Sequence, residues 1–495
     1  MKKRIIIFLL ILIIFISSCG SPEDNNSNTK NPAGDSHEQQ TKDDIITTDE
    51  IAPDLPERDF NEAKINFLVR GGDANEWDAL DIYTEGETGD AVNDIIFQRN
   101  CLVESKYNVI ITETPVKVGS AYSTVSKLVK SGDNSYHAVI ANAEESFSMS
   151  TNNLLLDLNA IPNIDLKNPW WDIALNKDLT LRNRQFCAAN ATNLMSYEAT
   201  WIAMFNKKML TDSGYDPANI YNMVKEGKWT LAGYLELTKD YIMDLNNDGK
   251  MDDKDQYGTS GQSTLATGFY IGADLRFIEK DDNDGLIFKE FDDRTANLLD
   301  MITEICNNKT AFNSHDTSMN KQHSSNPEYS RVLLAENRTL FFTETLLCVR
   351  ILREMAEAFG VVPMPKYDET QENYTSMVHH WATSLNSVPN ICPDLEMTGI
   401  ILEEMAYQSK QKVLPVYFEK AINGKYLRDE ESIDMIDYIM QNRVIDLGVA
   451  SNYGNISGGI SDLIYKGKTD FASLYEKSGN SVKKEIDKIM NNLEQ

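Results

Sequence analysis

Cysteine is scarce in this chain of 495 residues: there are six, and no two form a CxxC pair. A chain of this length builds a core without disulfides. Apart from Cys19, the thiols are Cys101, Cys187, Cys306, Cys348 and Cys392, widely spaced and odd in number. They read as small buried hydrophobes, with a single disulfide left open. Histidine is equally sparse, at six, and none of the six forms H-E-x-x-H. That argues against a transition-metal centre. His379 and His380 are chain neighbours, which cannot point the same way in a helix or a strand, so they read as surface or packed side chains. No G-x-G-x-x-G, G-x-x-x-x-G-K-[ST] or G-x-S-x-G occurs. Dinucleotide, nucleoside-triphosphate and nucleophile-elbow chemistry lose their usual signatures. Basic residues fall far short of acidic ones, 47 against 76, for a formal charge of −29. Such a body repels nucleic acid and anionic lipid, and neither is expected as a partner. In so acidic a chain, adjacent pairs such as Glu144-Glu145 and Glu403-Glu404 carry little weight as acid–base machinery.

Long apolar runs are missing too, except at the start. Lys2, Lys3 and Arg4 precede an unbroken apolar stretch, Ile5 to Ile16. It is too short to span a hydrocarbon core of about 30 Å and has the flanks of a signal peptide. Ile16-Ser17-Ser18-Cys19-Gly20 resembles the lipobox of bacterial lipoproteins, with Cys19 as the lipidated thiol. Residues 1–18 are therefore expected to be a signal peptide. Residues 19–58, rich in Ser, Asn, Asp, Thr and Pro, are expected to be a flexible tether that cannot bury enough surface to fold. The expected location is the outer face of the cytoplasmic membrane. Roughly 435 residues remain, about two to three domain units.

The body opens with alternating elements. Lys64 to Arg70 reads as a strand, closed by Gly71-Gly72. Val92, Ile95, Ile96, Leu102 and Val103 recur at helical spacing, and Asn108 to Thr114 is a second, β-branched strand. Tyr122, Val125, Leu128 and Val129 mark another helix before the strand His137 to Ile140. This order predicts an α/β architecture with a parallel sheet covered by helices. Ligands of such sheets bind beyond the carboxyl ends of the strands. Arg70, Asn142 and Glu144 fall there, and so does Glu344 after the apolar run Thr339 to Thr343.

One loop has the spacing of a cation site. Asp244, Asn246 and Asp248 alternate before Gly249, followed by Lys250, Asp252 and Asp255. This matches the first half of D-x-[DN]-x-[DN]-G, in which side-chain oxygens and one backbone carbonyl converge on calcium. Position 12 is Asp255 rather than Glu. A helix capped by Thr230 precedes the loop, and no second helix is expected after it, so it reads as a half EF-hand with a possible structural Ca2+.

Several words along the chain resemble those of family-1, carbohydrate-type extracellular solute-binding proteins of ABC transporters. They are Gly89 to Asn100 (GDAVNDIIFQRN), Leu154 to Leu158 (LLLDL), Asn168 to Asp172 (NPWWD) and Phe205-Asn206-Lys207. Gly227-Lys228-Trp229-Thr230, Asp255 to Gly258 (DQYG) and Phe359 to Tyr367 (FGVVPMPKY) continue the series. The resemblance implies a two-lobe periplasmic-binding-protein-like fold with a hinge and an interlobe cleft. Lobe one is expected over 59–165 and 320–365, and a mostly helical lobe two over 166–319 and 366–495. It further implies a carbohydrate ligand, an ABC transporter permease as partner, a monomer and no catalysis. Aromatic faces suit sugar C–H surfaces, so Trp381, Trp171 and Trp201 join the candidates for ligand contact, while Trp229 at a helix start reads as packing. Two other readings stand beside this one. The first is a permease-independent sugar-sensing or polysaccharide-capture lipoprotein. The second is an exported glycosidase, which needs two facing carboxylates.

Overall fold

The computed structural model describes residues 51–73, 76–79, 81–427 and 429–493. The signal peptide, Cys19 and nearly all of the tether lie outside the described residues.

The first sheet begins as the sequence predicts. Strand β1 (Ala63–Arg70) leads to helix α1 (Ala91–Tyr107), β2 (Val109–Val116), α2 (Ala121–Ser131), β3 (Ala138–Ala141) and α3 (Ala143–Thr151). Strand β1 pairs in parallel with both β2 and β3. Its residues Ile65, Phe67, Leu68 and Val69 are buried, the continuous apolar run of a strand covered on both faces. Side chains punctuate the helices: Asp90 accepts from the Val92 and Asn93 amides at the start of α1, and Asn142 accepts from the Glu145 amide at the start of α3. Two short strands finish the sheet, β4 (Cys187–Ala188) and, far along the chain, β10 (Leu385–Ser387). The order is β2-β1-β3-β10-β4, with β10 antiparallel to β3 and β4.

The second sheet has the order β9-β5-β8-β6-β7. It contains β5 (Trp201–Asn206), β6 (Tyr257–Gly261), β7 (Ala311–Asn313), β8 (Thr339–Thr345) and β9 (Phe359–Val362). Strands β6, β7 and β8 run parallel, and β5 runs antiparallel to both β8 and β9. The sheets correct the expected lobe bounds: β4 and β10, expected in lobe two, pair in the first sheet. The segment 320–365 was grouped with the first lobe, yet its strands β8 and β9 hydrogen-bond to β5 in the second sheet. Nothing local to β8 carries that information, because its partner β5 lies more than a hundred residues earlier. Between the sheets the chain passes from β4 to β5 and returns from β9 to β10.

Helices around the second sheet include α4 (Leu231–Thr238), α5 (Leu265–Gly272) and α6 (Tyr329–Ala335). Helix α4 is capped by the Thr230 hydroxyl, as predicted. Near the C-terminus follow α7 (Leu395–Gln408), α8 (Leu447–Ser451) and α9 (Ile456–Tyr465). Helix α8 packs on α3 and α9 packs on α5, so the C-terminal helices span from the first sheet's layer to the second's. Cys187, Cys306 and Cys348 are buried as expected. Cys101 is exposed, and all five described cysteines are free thiols.

Helix α7 lies hard against the segment that follows α3. A Cβ built on Gly399 would sit 1.9 Å from the Pro162 carbonyl oxygen. Alanine would favour the helix itself by about 1 kcal/mol. Overpacking against rigid backbone costs about 1–3 kcal/mol or more and wins. Gly399→Ala is expected to lower stability by about 2 kcal/mol in urea unfolding; an unchanged midpoint would refute this close packing.

Candidate functional site

The segments that follow β3, β6 and β7 meet the return crossing at one cavity. It has a volume of about 780 Å³. Glu144 lines it from the start of α3, beyond β3. Ser263 and Thr264 line it beyond β6, and His315 and Asp316 beyond β7. His380 enters from the crossing, and Ser461, Asp462 and Tyr465 from α9. An adjoining pocket of about 350 Å³ shares Glu144 and adds Tyr122, Asn142 and Trp381.

Three consecutive residues of the crossing are hydrogen-bonded to the elements on either side. The His379 amide donates to the Ala199 carbonyl at 2.8 Å, just before β5, and its Nε2 lies 3.3 Å from the Thr264 hydroxyl. The His380 carbonyl accepts from the Ala143 amide at 3.0 Å, and the Trp381 carbonyl accepts from Arg70. The two histidines were expected to point apart. Instead their rings stack, with centroids 4.9 Å apart and planes 14° apart. The alternation rule applies to helices and strands, and this segment is turn. Burial holds both imidazoles uncharged: His379 well below the ordinary range, and His380 down to about 4. Burial also lowers His315.

The predicted residues separate into groups. Glu144, Asn142 and Trp381 line the two connected pockets. Arg70 stands behind Trp381, its guanidinium 4.3 Å from the ring centroid, and burial draws it down to about 10. Glu344 is buried at the end of β8, where burial raises it to about 8. Trp201 backs the cavity: it is fully buried and stacks on His379 at 5.7 Å. Trp171 is packed in the first lobe, its indole N–H donating to Glu403 at 2.8 Å. Neither Trp171 nor Trp201 presents a face to the cleft, because each opens or flanks a segment whose pairing turns it inward. Trp229 is likewise core, donating to the Pro363 carbonyl at 2.9 Å.

Several lining residues were not found from the sequence. Thr264 and His315 follow strands β6 and β7, but β7 has only three residues, Ala311 to Asn313, and leaves no readable alternation. Trp77 packs edge-on against Trp381 at 5.9 Å, and the Arg331 guanidinium lies 5.9 Å from its ring. Its neighbour Glu76 pairs with Arg331 of α6 at 2.9 Å, joining the loop after β1 to the second sheet's layer.

In the acidic loop, oxygens answer backbone amides. Asp244 accepts from Gly249, Asn246 from Asp248, and Asp248 from Lys250. Asp255 accepts from Leu245 with one oxygen and from Asp252 with the other, and Asp252 accepts from Lys254. Among the described residues no three His, Cys, Asp or Glu groups are placed to hold a metal. One oxygen fits a cation all the same: Asp244 Oδ1 is buried with no hydrogen-bond partner.

No family model and no curated protein matches the sequence. Solved structures do match. The ABC substrate-binding protein of Listeria monocytogenes in complex with cycloalternan shares 12% identity at a TM-score of 0.52, over 87% of this chain and 99% of that one. The cyclic α-maltosyl-1,6-maltose binding protein of Arthrobacter globiformis shares 12% identity at a TM-score of 0.54, over 87% of this chain and 100% of that one. The fold is that of the two-lobed solute-binding proteins. A third neighbour of this kind, the maltose/maltodextrin-binding domain of Bdellovibrio bacteriovorus bound to maltotriose, shares 13% identity at a TM-score of 0.50, over 88% of this chain and 99% of that one. In a solute-binding fold, binding between lobes joined by crossing strands closes them about a hinge. Among the described residues, no helix is long and apolar enough to cross a membrane.

Proposed function

We propose that this chain is an exported lipoprotein, anchored through Cys19, that captures a carbohydrate between its lobes and delivers it to an ABC permease without chemical change. One observation carries the reading: the 780 Å³ cavity lies where strand ends of both sheets converge, and hydroxyls, amides and carboxylates line it. Such groups hydrogen-bond the rim of a sugar, and only a ligand touching both lobes favours their closed arrangement. The neighbours in complex with cycloalternan and with maltotriose support the substrate class. Thermal melts of the purified protein with mono- and oligosaccharides test it. A saccharide at 100 times its Kd adds about 2.7 kcal/mol, a visible rise in melting temperature. A response confined to amino acids or polyamines would keep the fold and overturn the substrate.

The same reading includes a structural calcium ion at Asp244, Asn246, Asp248, Lys250, Asp252 and Asp255, supported by their spacing and by the unpartnered Asp244 oxygen. Millimolar calcium is expected to raise the melting temperature, and Asp244→Asn to abolish that rise. No shift with calcium would leave a loop closed by its own amides.

A further inference from the structure

The cleft holds more negative than positive charge: its one lining cation is Lys466 among the described residues. Three carboxylates line the larger cavity. Asp316 accepts from the Ser318 amide at 2.8 Å and from Asn308 at 2.9 Å, and Asp462 pairs with Lys466 at 3.4 Å. Glu144 differs. Among the described residues its carboxylate makes no hydrogen bond or ion pair, and it borders both pockets. The cations nearby are engaged: Lys466 by Asp462, and Arg70 by the ring and carbonyl of Trp381. Burial disfavours the charged form of the cavity histidines His315 and His380. Burial and the adjacent Glu145 push the Glu144 carboxyl above its usual range, as an uncompensated anion requires.

Ring faces are in short supply as well. Tyr465 donates its hydroxyl to the Ser263 carbonyl at 2.6 Å, and Arg70 covers one face of Trp381. Recognition here falls on polar and ionic contacts more than on stacking.

We infer that Glu144 is the specificity-determining contact of this cleft and that it selects a saccharide carrying a protonated amine, an amino sugar. The inference rests on the carbohydrate reading above. An ammonium group beside Glu144 forms a charge-assisted hydrogen bond that a neutral hydroxyl or acetamide cannot match.

Isothermal titration of the whole protein tests this with three probes: a short glucosamine oligomer, its N-acetylated counterpart of equal length, and spermidine. The glucosamine oligomer is expected to bind roughly ten- to a hundredfold more tightly than the acetylated one. Glu144→Gln, at an exposed position with unchanged melting expected, removes that preference. Equal affinity for the two saccharides, or a preference that survives in Glu144→Gln, overturns the inference and leaves the carbohydrate reading standing. Binding of neither saccharide, with or without binding of spermidine, overturns the inference as well, whereas the carbohydrate reading falls only if the wider saccharide melts above are also silent.

Discussion

Replacing Glu403 by alanine is expected to lower the unfolding free energy by about 4 kcal/mol. Its carboxylate, buried on α7, accepts three side-chain N–H groups: Trp170 Nε1 at 2.8 Å, Trp171 Nε1 at 2.8 Å and Asn168 Nδ2 at 2.6 Å. Both indoles are almost wholly buried, so no water replaces the lost acceptor. Each orphaned buried donor costs about 1–3 kcal/mol, and the vacated volume adds to that. The carboxylate itself is disfavoured by burial, and its three donors offset part of that penalty, leaving it above the usual carboxylate range. Glu403→Gln keeps one oxygen but turns an amide NH2 toward an indole N–H, so an intermediate loss is expected. Urea unfolding followed by tryptophan fluorescence measures both variants. A loss below about 1 kcal/mol for the alanine variant would show that the three bonds do not hold the 168–171 turn to α7.

The second large effect depends on pH. Burial raises the Glu344 carboxyl from its ordinary 4.5 to about 8. One of its oxygens accepts from the Thr345 amide at 2.9 Å, while the other, Oε2, is buried with no partner. Between these two pKa values the folded protein keeps a proton that the unfolded chain has released. Stability from this group is therefore fully present below pH 4.5 and declines as pH rises toward about 8. The decline amounts to about 4–5 kcal/mol across that window. Glu344→Gln retains the acceptor for Thr345 and does not titrate. Its new amide nitrogen lacks an acceptor, which costs about 1 kcal/mol at every pH. The variant is expected to be slightly less stable than the parent near pH 4.5 and clearly more stable at pH 8. Denaturant midpoints at several pH values provide the comparison. Parallel curves for parent and variant would mean that Glu344 is ionised in the folded protein.

Local pattern made the first lobe legible. β1, α1, β2, α2 and β3 each announce themselves by their own apolar spacing, and the right-handed strand–helix–strand rule then orders them. Caps were legible for the same reason: the Thr230 hydroxyl acts within three residues, on Gly233. The carboxylate pairs show the opposite case. Glu403 and Glu404 carried no signal, yet Glu403 clamps two tryptophans and Glu404 pairs with Lys106 of α1 at 2.7 Å. Each partner lies more than two hundred residues away. The same distance effect hid the cleft. Glu144 and Asn142 were visible as residues beyond a strand, whereas Thr264 and His315 needed strands β6 and β7 to be placed beside β8 first.

What the sequence alone determined is the α/β class and the order of the first three strands and two helices of the first sheet, because each is written in short-range periodicity. What only the tertiary structure decided is which tryptophan meets the cleft, how His379 and His380 stack, and that β8 and β9 complete the second sheet. Those outcomes depend on hydrogen-bonded register and burial between segments far apart in the chain. Identical residue types are sent to core or cleft by pairing, and no local pattern records it.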